Sequence, residues 1–420
     1  MLAPKAPIVL VDDGRGRFGP LGDLRATFEF RTGADTTVRR VARLVGDRLT
    51  ALWVPVHLVA ALRERSLIPV NELPAAQRLV LLNGRWLTPD LHAIDSLGPD
   101  EIIVDAASGD LVMAHLAPES ARLLLERAGD DSRPIESIAD LAGVRTRPVE
   151  GLLISRPWEI LAALGKTIAL DVATDRPLRS REAEPAVAIG DAPISIHASA
   201  RVWPGVVIDA EHGPVAIHED AIIRPHATLV GPCAIGRGST VVERAVIRGN
   251  TVIGPRCKVG GEISGTIFQG YSNKAHDGFL GDSIIGEWVN IGAGTDNSNL
   301  LNTYGEVSVR LSADGPRERT GRQFMGAVMG DHVKIAIGSR IMTGTVLGTG
   351  SMVAVATPPP ALVPAFAWLT DEDSSGARRF RFEKFEETMR AVMKRRDREP
   401  GPAYLAALRA LHAGSAPAAR

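Results

Sequence analysis

From Ile217 onward an aliphatic residue recurs every six positions: Ile223, Leu229, Ile235, Val241, Ile247, Ile253 and Val259. The same spacing joins Ile196, Val202 and Ile208 before this run, and Ile285 and Ile291 after it. It returns at Met329, Ile335, Ile341, Leu347 and Val353. The residue two places earlier is mostly small, as at Ala221, Ala227, Cys233, Ser239, Ala245, Thr251 and Cys257. A period of six is neither the 3.6 of a helix nor the 2 of a strand. It predicts a prism of short flat strands with a turn every six residues. The aliphatic side chains point inward and stacked coils share one apolar core. A β-sandwich of short strands competes with this reading, but irregular loops would break strict six-spacing.

The first 185 residues are patterned differently. Apolar runs at 6–12, 50–56, 78–83 and 101–106 read as strands. Amphipathic stretches at 36–49, 118–129 and 156–173 read as helices. Such alternation predicts a mainly parallel α/β sheet. After the hexads, 357–366 reads as an extended exit. Phe382, Phe385, Met389 and Val392 then follow at helical spacing, and a second helix is expected near 403–414. The expected division is an α/β domain over 1–185, a β-helix over 190–356, and a C-terminal segment with helices over 357–420.

The hexad spacing lapses between Val259 and Ile285 and again between Ile291 and Met329. The second gap predicts a protruding loop. The first holds His276 and Lys274, in "GYSNKAHDGFLGDSIIGEWVNIGAGT" (270–295), followed by the amides of "DNSN". Insertions in a solenoid map to one face and often carry function. A neutral imidazole near pH 7 suits proton removal without a metal, and asparagine amides both donate and accept.

The hexads over 194–356 resemble the left-handed β-helix of hexapeptide-repeat acyltransferases, a family of trimers with active sites between subunits. The 274–299 block is similar to the acetyltransferase half of the bifunctional enzymes that acetylate glucosamine-1-phosphate and uridylylate the product. That resemblance implies His276 as general base, with Asn290, Arg248 and Lys274 on the sugar phosphate. It places Asn299 and Asn297 near acetyl-CoA, and Ala336 and Ala354 are counted with them. Phe279 stands where the family has tyrosine, Ser264 near its phosphate-binding lysine, and Leu300 in place of a turn tyrosine. These departures bear on the sugar more than on the reaction class.

The stretch "DDGRGRFGPLGDLR" (12–25) resembles the glycine-rich phosphate loop of sugar nucleotidyltransferases, with Gly14, Gly16, Pro20 and Leu21 matching. Such glycines let backbone N–H groups approach phosphates. Asp12 and Asp13 replace two alanines, and Arg17-Phe18 a threonine-arginine pair. After "LLNG" comes Arg85, where the family has a metal-binding aspartate. The expectation is a degenerate domain whose Arg17, Arg25 and Arg85 hold phosphates, with Mg2+ present only if it turns over substrate.

Composition narrows the partners. The chain has 420 residues and a net charge of −1, which offers no broad attraction for nucleic acid. No uninterrupted apolar stretch reaches membrane-spanning length, so no membrane partner is expected. Two cysteines, Cys233 and Cys257, sit at small inward positions and read as reduced core residues in a cytoplasmic protein. The expected partners are a sugar phosphate or nucleotide sugar and two further copies in a homotrimer. Three activities stay open: acetyl-CoA-dependent acyl transfer to an amino-sugar phosphate, nucleotidyl transfer with the β-helix as a trimerising stem, and sugar-nucleotide binding without catalysis.

Overall fold

The structure, a computed structural model, describes residues 5–128, 143–174, 186–372 and 378–415. The first domain runs β1 (Ile8–Val11), α1 (Thr37–Val45), β2 (Leu49–Trp53), α2 (Val56–Arg65), β3 (Leu79–Asn83) and α3 (Leu91–Asp95). It continues through β4 (Glu101–Asp105), β5 (Leu111–Leu116), α4 (Pro118–Ala128), β6 (Arg145–Val149) and α5 (Pro157–Thr174). The strand order is β2-β1-β3-β5-β4-β6. All four expected strands form. β5 was not expected; it enters antiparallel between β3 and β4, so the sheet is mixed rather than mainly parallel. It is a six-residue apolar run closed onto β4 by a short turn, and short buried runs carry no period of their own. α2 was hidden in the same way, because its apolar residues continue those of β2.

The second half is a three-sided parallel β-helix, of the hexapeptide-repeat kind expected. Strands of two to four residues stack into ladders of six, nine and ten strands. The hexad residues lie inward in aligned columns: Ile208, Leu229 and Ile247 on one side, Ile217, Ile235 and Ile253 on the next, Ile223, Val241 and Val259 on the third. All nine are buried and share one core. Cys233 and Cys257 fill corners as free thiols, and burial pushes both up to about 12.

The first apparent lapse is a continuous stretch of coil. Ile263, Phe268, Lys274 and Leu280 continue the three columns to Ile285 and Ile291, and Asn297 extends them into the second lapse. Two things hide this in the sequence. Several sides are shortened by a residue or two, as from Val259 to Ile263, and two inward places are polar. The second lapse is the expected loop, which carries the antiparallel hairpin Ser308–Arg310/Arg317–Arg319. The ladders run from Val187 to Thr370, so Leu362–Val363 is a coil strand where an extended exit was expected, and Ala367–Thr370 continues the coil beyond it. The expected boundary at 185 lies outside the described residues.

The nine-stranded sheet is apolar on both faces, as a sheet covered on both sides must be. Its outward residues Ala234, Val252, Ile267 and Ile284 pack in one cluster with Trp158, Leu161 and Leu164 of α5 and with Phe18 and Phe30. Polar bonds align the two halves. Arg31 N donates to Gln269 Oε1 at 2.7 Å, and Gln269 Nε2 donates back to the Arg31 carbonyl at 3.1 Å. The hairpin reaches over the glycine loop, where Glu318 pairs with Arg156 at 2.6 Å and with Arg17 at 3.7 Å. Two further helices, α6 (Phe382–Lys394) and α7 (Pro402–Gly414), close the far end around Phe366, Phe380, Phe385 and Met389. No helix among the described residues is long and apolar enough to cross a membrane.

Candidate active site

The corner after Asn273–Lys274 carries His276. Lys274 sits in the inward column between Val259 and Ile291 and is 1% exposed. Its Nζ donates to the carbonyls of His276, at 2.9 Å, and Gly260, at 3.3 Å. Desolvation lowers it to about 8. The rest of the turn is held by backbone. Gly294 N donates to the Asp277 carbonyl at 3.0 Å, and Phe279 N to the Asp296 carboxylate at 2.6 Å. Gly278 lies at φ +123°, and a side chain there would meet the Thr295 carbonyl at 2.3 Å. The main chain of the turn is therefore fixed while His276 stays exposed. Among the described residues its ring makes no hydrogen bond.

Downstream of the corner lies a polar cluster. Asn299 Nδ2 donates to Asp282 Oδ2 at 2.8 Å, and Arg322 Nη2 to Asp282 Oδ1 at 3.3 Å. Burial raises the Asp282 carboxyl above its ordinary range. A side chain at Gly281 would strike the Phe279 ring at 2.6 Å and Asn299 at 2.7 Å, so glycine lets these two approach. Asp282, Asp296 and Arg322 were not found from the sequence. Asp282 stands in the quoted block without an obvious role, and Arg322 is one arginine of several in a protruding loop.

Ala336 and Ala354 are in register with Gly292, on the column that begins at Ala275 immediately before His276. The same edge of the prism thus carries the base candidate and a track of small residues. Asn290 is exposed on the outer face of the ten-stranded sheet, in register with Asn273 and Lys334. Arg248 shares a column with Ser264 and Gly281, two coils before the cluster, and pairs with Glu262 at 2.5 Å. Arg322, not Arg248, is the cation bonded into the cluster.

Several expectations need correction. Asn297 does not face a cofactor: it is buried in an inward column. Its Oδ1 accepts from Gly281 N at 2.7 Å, and its Nδ2 donates to the Gly281 carbonyl at 2.9 Å and to Ser283 Oγ at 3.1 Å. The amide thereby joins two coils where the backbone ladder is interrupted. Lys274 does not face a substrate, since its ammonium is spent on two carbonyls inside the prism.

Arg85 is fully buried and cannot attract a phosphate. Nε and Nη2 donate to the two Asp13 oxygens at 3.0 and 2.6 Å, and Nη2 also to Asp110 at 2.5 Å. Nη1 donates to the Ile154 carbonyl at 3.1 Å and to Ser155 Oγ at 2.8 Å. All five N–H donors of the guanidinium are used. Arg25 is likewise buried, clamped onto Asp331 and 3.6 Å from Glu287 of the β-helix. Its role as observed is to join the two halves.

Gly14, Gly16 and Arg17 do line a cavity of about 340 Å³, together with Asp12, Asp23 and Arg25. Gly14, at φ +69°, turns its N–H onto Asp12 Oδ1 at 3.0 Å. Burial raises Asp12 to about 6 and Asp23 to about 7. These residues do not fit a magnesium ion. Asp13 and Asp110 are neutralised by Arg85, and among the described residues no group of three or more His, Cys, Asp or Glu is placed to hold a metal.

Residues 8–176 match the sugar nucleotidyl transferase family. A bifunctional sugar-1-phosphate nucleotidylyltransferase/acetyltransferase of Sulfurisphaera tokodaii is 35% identical over 138 residues, 32% of this chain and 34% of the relative. The bifunctional protein GlmU of Desulfitobacterium hafniense is 31% identical over 213 residues, 45% of this chain and 44% of that one. The chain thus spans about a third to a half of the length of these curated relatives. Among solved structures, Arabidopsis UDP-N-acetylglucosamine acyltransferase matches with TM-score 0.30 at 14% identity, over 48% of this chain and 75% of that chain. The chain therefore joins a sugar nucleotidyl transferase-like first domain to a hexapeptide-repeat β-helix, and its bifunctional relatives are transferases whose names unite nucleotidylyl and acetyl transfer.

Proposed function

We propose that this protein transfers an acyl group from acetyl-CoA to the amine of a sugar phosphate or nucleotide sugar, with His276 as general base. The observation that carries this is the exposed imidazole on a turn whose backbone is fixed by Lys274 and Asp296. His276 takes a proton as the amine nitrogen attacks the thioester carbonyl. The C–S bond then breaks, and the sulfur leaves with a proton, so coenzyme A and an amide are the products. Asn299 and Arg322, already bonded to Asp282, offer an amide and a cation to the sugar and its phosphate. Gly292, Ala336 and Ala354 give the small-residue edge along which the pantetheine of acetyl-CoA fits. Asn290 stands on the adjoining face for the sugar. The site lies on an outer edge of the prism, which supports a homotrimer that closes it with a neighbouring subunit.

In this reading the first domain binds a sugar nucleotide without turning it over, because Arg85 occupies Asp13 and Asp110 behind the glycine loop. Thiol release from acetyl-CoA, measured over a panel of amino-sugar phosphates and nucleotide sugars, tests the proposal. Acceptor-dependent release is expected. Absence of thiol release with every acceptor in the panel, alongside magnesium-dependent pyrophosphate formation from a nucleoside triphosphate and a sugar-1-phosphate, would favour nucleotidyl transfer instead.

A further inference from the structure

A cleft of about 580 Å³ lies where the first domain, the β-helix and the segment after α6 meet. It opens at the turns leading from the nine-stranded to the ten-stranded sheet, whereas His276 stands on the turn leaving the ten-stranded sheet. The two sites therefore lie on different edges of the prism. The cleft belongs neither to the glycine loop nor to the acyl-transfer site.

Six arginines line it: Arg31, Arg39, Arg43, Arg237, Arg256 and Arg398. Only two carboxylates do, Asp35 and Glu219, and both are already engaged. Asp35 is paired with Arg43 and lies 3.8 Å from Arg39, and Glu219 is 3.2 Å from Arg237. Among the described residues Arg31, Arg256 and Arg398 have no carboxylate partner. In a chain of net charge −1 this is a concentrated excess of cation.

Arg31 is the most informative of the three. It is 8% exposed, and its guanidinium donates only to the carbonyls of Ala34 and Gln269. Burial lowers its pKa below the ordinary value, as desolvation of a cation does. Asp35 acts on it only at longer range; a buried charge with no carboxylate in contact is unfavourable, and an anion in the cleft would give it a direct partner. Arg237 and Arg256 sit on the turns of successive coils, one strand spacing of about 4.8 Å apart. At that spacing the two guanidiniums can each take one of two neighbouring phosphoryl groups, with Arg237 exchanging its solvent-exposed partner Glu219 for the ligand. Tyr271, on the next turn, stacks one face of its ring on Trp288 at 4.3 Å between centroids and lines the same cleft.

We infer that this cleft binds a ligand carrying two linked phosphoryl groups, a diphosphate either free or as part of a nucleotide. The volume suits a small molecule, and linked phosphates supply the dense negative charge that three unpaired guanidiniums require.

Calorimetry with inorganic pyrophosphate, uridine diphosphate and adenosine diphosphate tests this on the full chain. Pyrophosphate is expected to bind, and affinity should fall as salt is raised. R256E and R398E change exposed side chains, so folding should be preserved, and each is expected to weaken binding at least tenfold. Nucleoside diphosphates that bind more tightly than pyrophosphate, with the gain lost in Tyr271→Ala, would assign the site to a nucleotide. Equal affinities would assign it to the diphosphate alone. Binding should persist in His276→Ala, so it is independent of acyl transfer. No binding of any of the three at about 1 mM and low salt would overturn the inference. So would binding unchanged in both charge reversals, or charge reversals that alter only the oligomeric state.

Discussion

Lys274 Nζ donates to the carbonyl of His276 at 2.9 Å from inside the β-helix, at a place filled by Val259 one coil before and Ile291 one coil after. A buried amine with carbonyl partners alone is unfavourable compared with an aliphatic side chain of the same volume. Its visible effect is to tie the base-bearing turn to the core. Lys274→Met keeps the length and removes the bonds. The variant is expected to melt no lower than the parent at pH 7, while acyl transfer falls about tenfold or more through kcat rather than KM. Steady-state kinetics beside a thermal melt checks both halves.

The same amine makes stability depend on pH. Lys274 is lowered from 10.5 to about 8, so below pH 8 it is charged in both folded and unfolded chains. Between 8 and 10.5 the unfolded chain holds the extra proton, and stability therefore rises with pH across that window. Lys334, lowered to about 7 by burial, acts in the same direction. The difference between parent and Lys274→Met melts, followed from pH 7 to 10, isolates the Lys274 contribution. The parent should gain stability relative to the variant as pH rises.

Removing the base itself should be selective. His276→Ala is expected to lower acyl transfer by roughly 10²–10⁴-fold. Because the side chain is exposed, the fold and oligomeric state should be unchanged. Turnover equal to the parent would remove His276 from the mechanism.

Arg85 offers a test of the first domain. Arg85→Met leaves Asp13 buried without a cation and Asp110 with Arg15 alone, at 3.4 Å, at an expected cost of about 3–5 kcal/mol. Adding Asp13→Asn should recover much of it, since the carboxylate left bare is then neutral. Denaturant melts of the single and double variants give the comparison. Full stability of the single variant would show that the network is not what holds this corner together.

Asn297 replaces part of a backbone ladder. Asn297→Ala strands Gly281 N and weakens the join to Ser283, and a buried unpaired group costs about 1–3 kcal/mol. The loss should appear as local hydrogen exchange at Gly281 before global unfolding.

The β-helix was legible because its core repeats at a fixed interval and every sixth residue from Ile217 to Val259 is aliphatic. A narrow prism admits only such side chains there, so composition at one register reveals the fold. The strands β1 to β4 were legible for the same reason, as continuous apolar runs. β5 and α2 were not, since adjacent apolar runs merge and only pairing separates them.

The site was half legible. The resemblance of the 274–299 block to acetyltransferases pointed to acyl-transfer chemistry with His276 at its centre, and the structure leaves that imidazole exposed on a fixed turn. Which polar groups face inward was decided by tertiary structure alone. Shortened sides of the coil shift the register, so Lys274 falls on an inward column that a strict count of six does not reach, while Asn297 lies six residues after Ile291 but is hidden by being polar. Charges are decided the same way: a sequence lists Arg85, Arg25 and Arg31 as equal cations. Folding brings Asp13 and Asp110 to the first and Asp331 to the second, and leaves the third with carbonyls, because ion pairs form between residues distant in the chain.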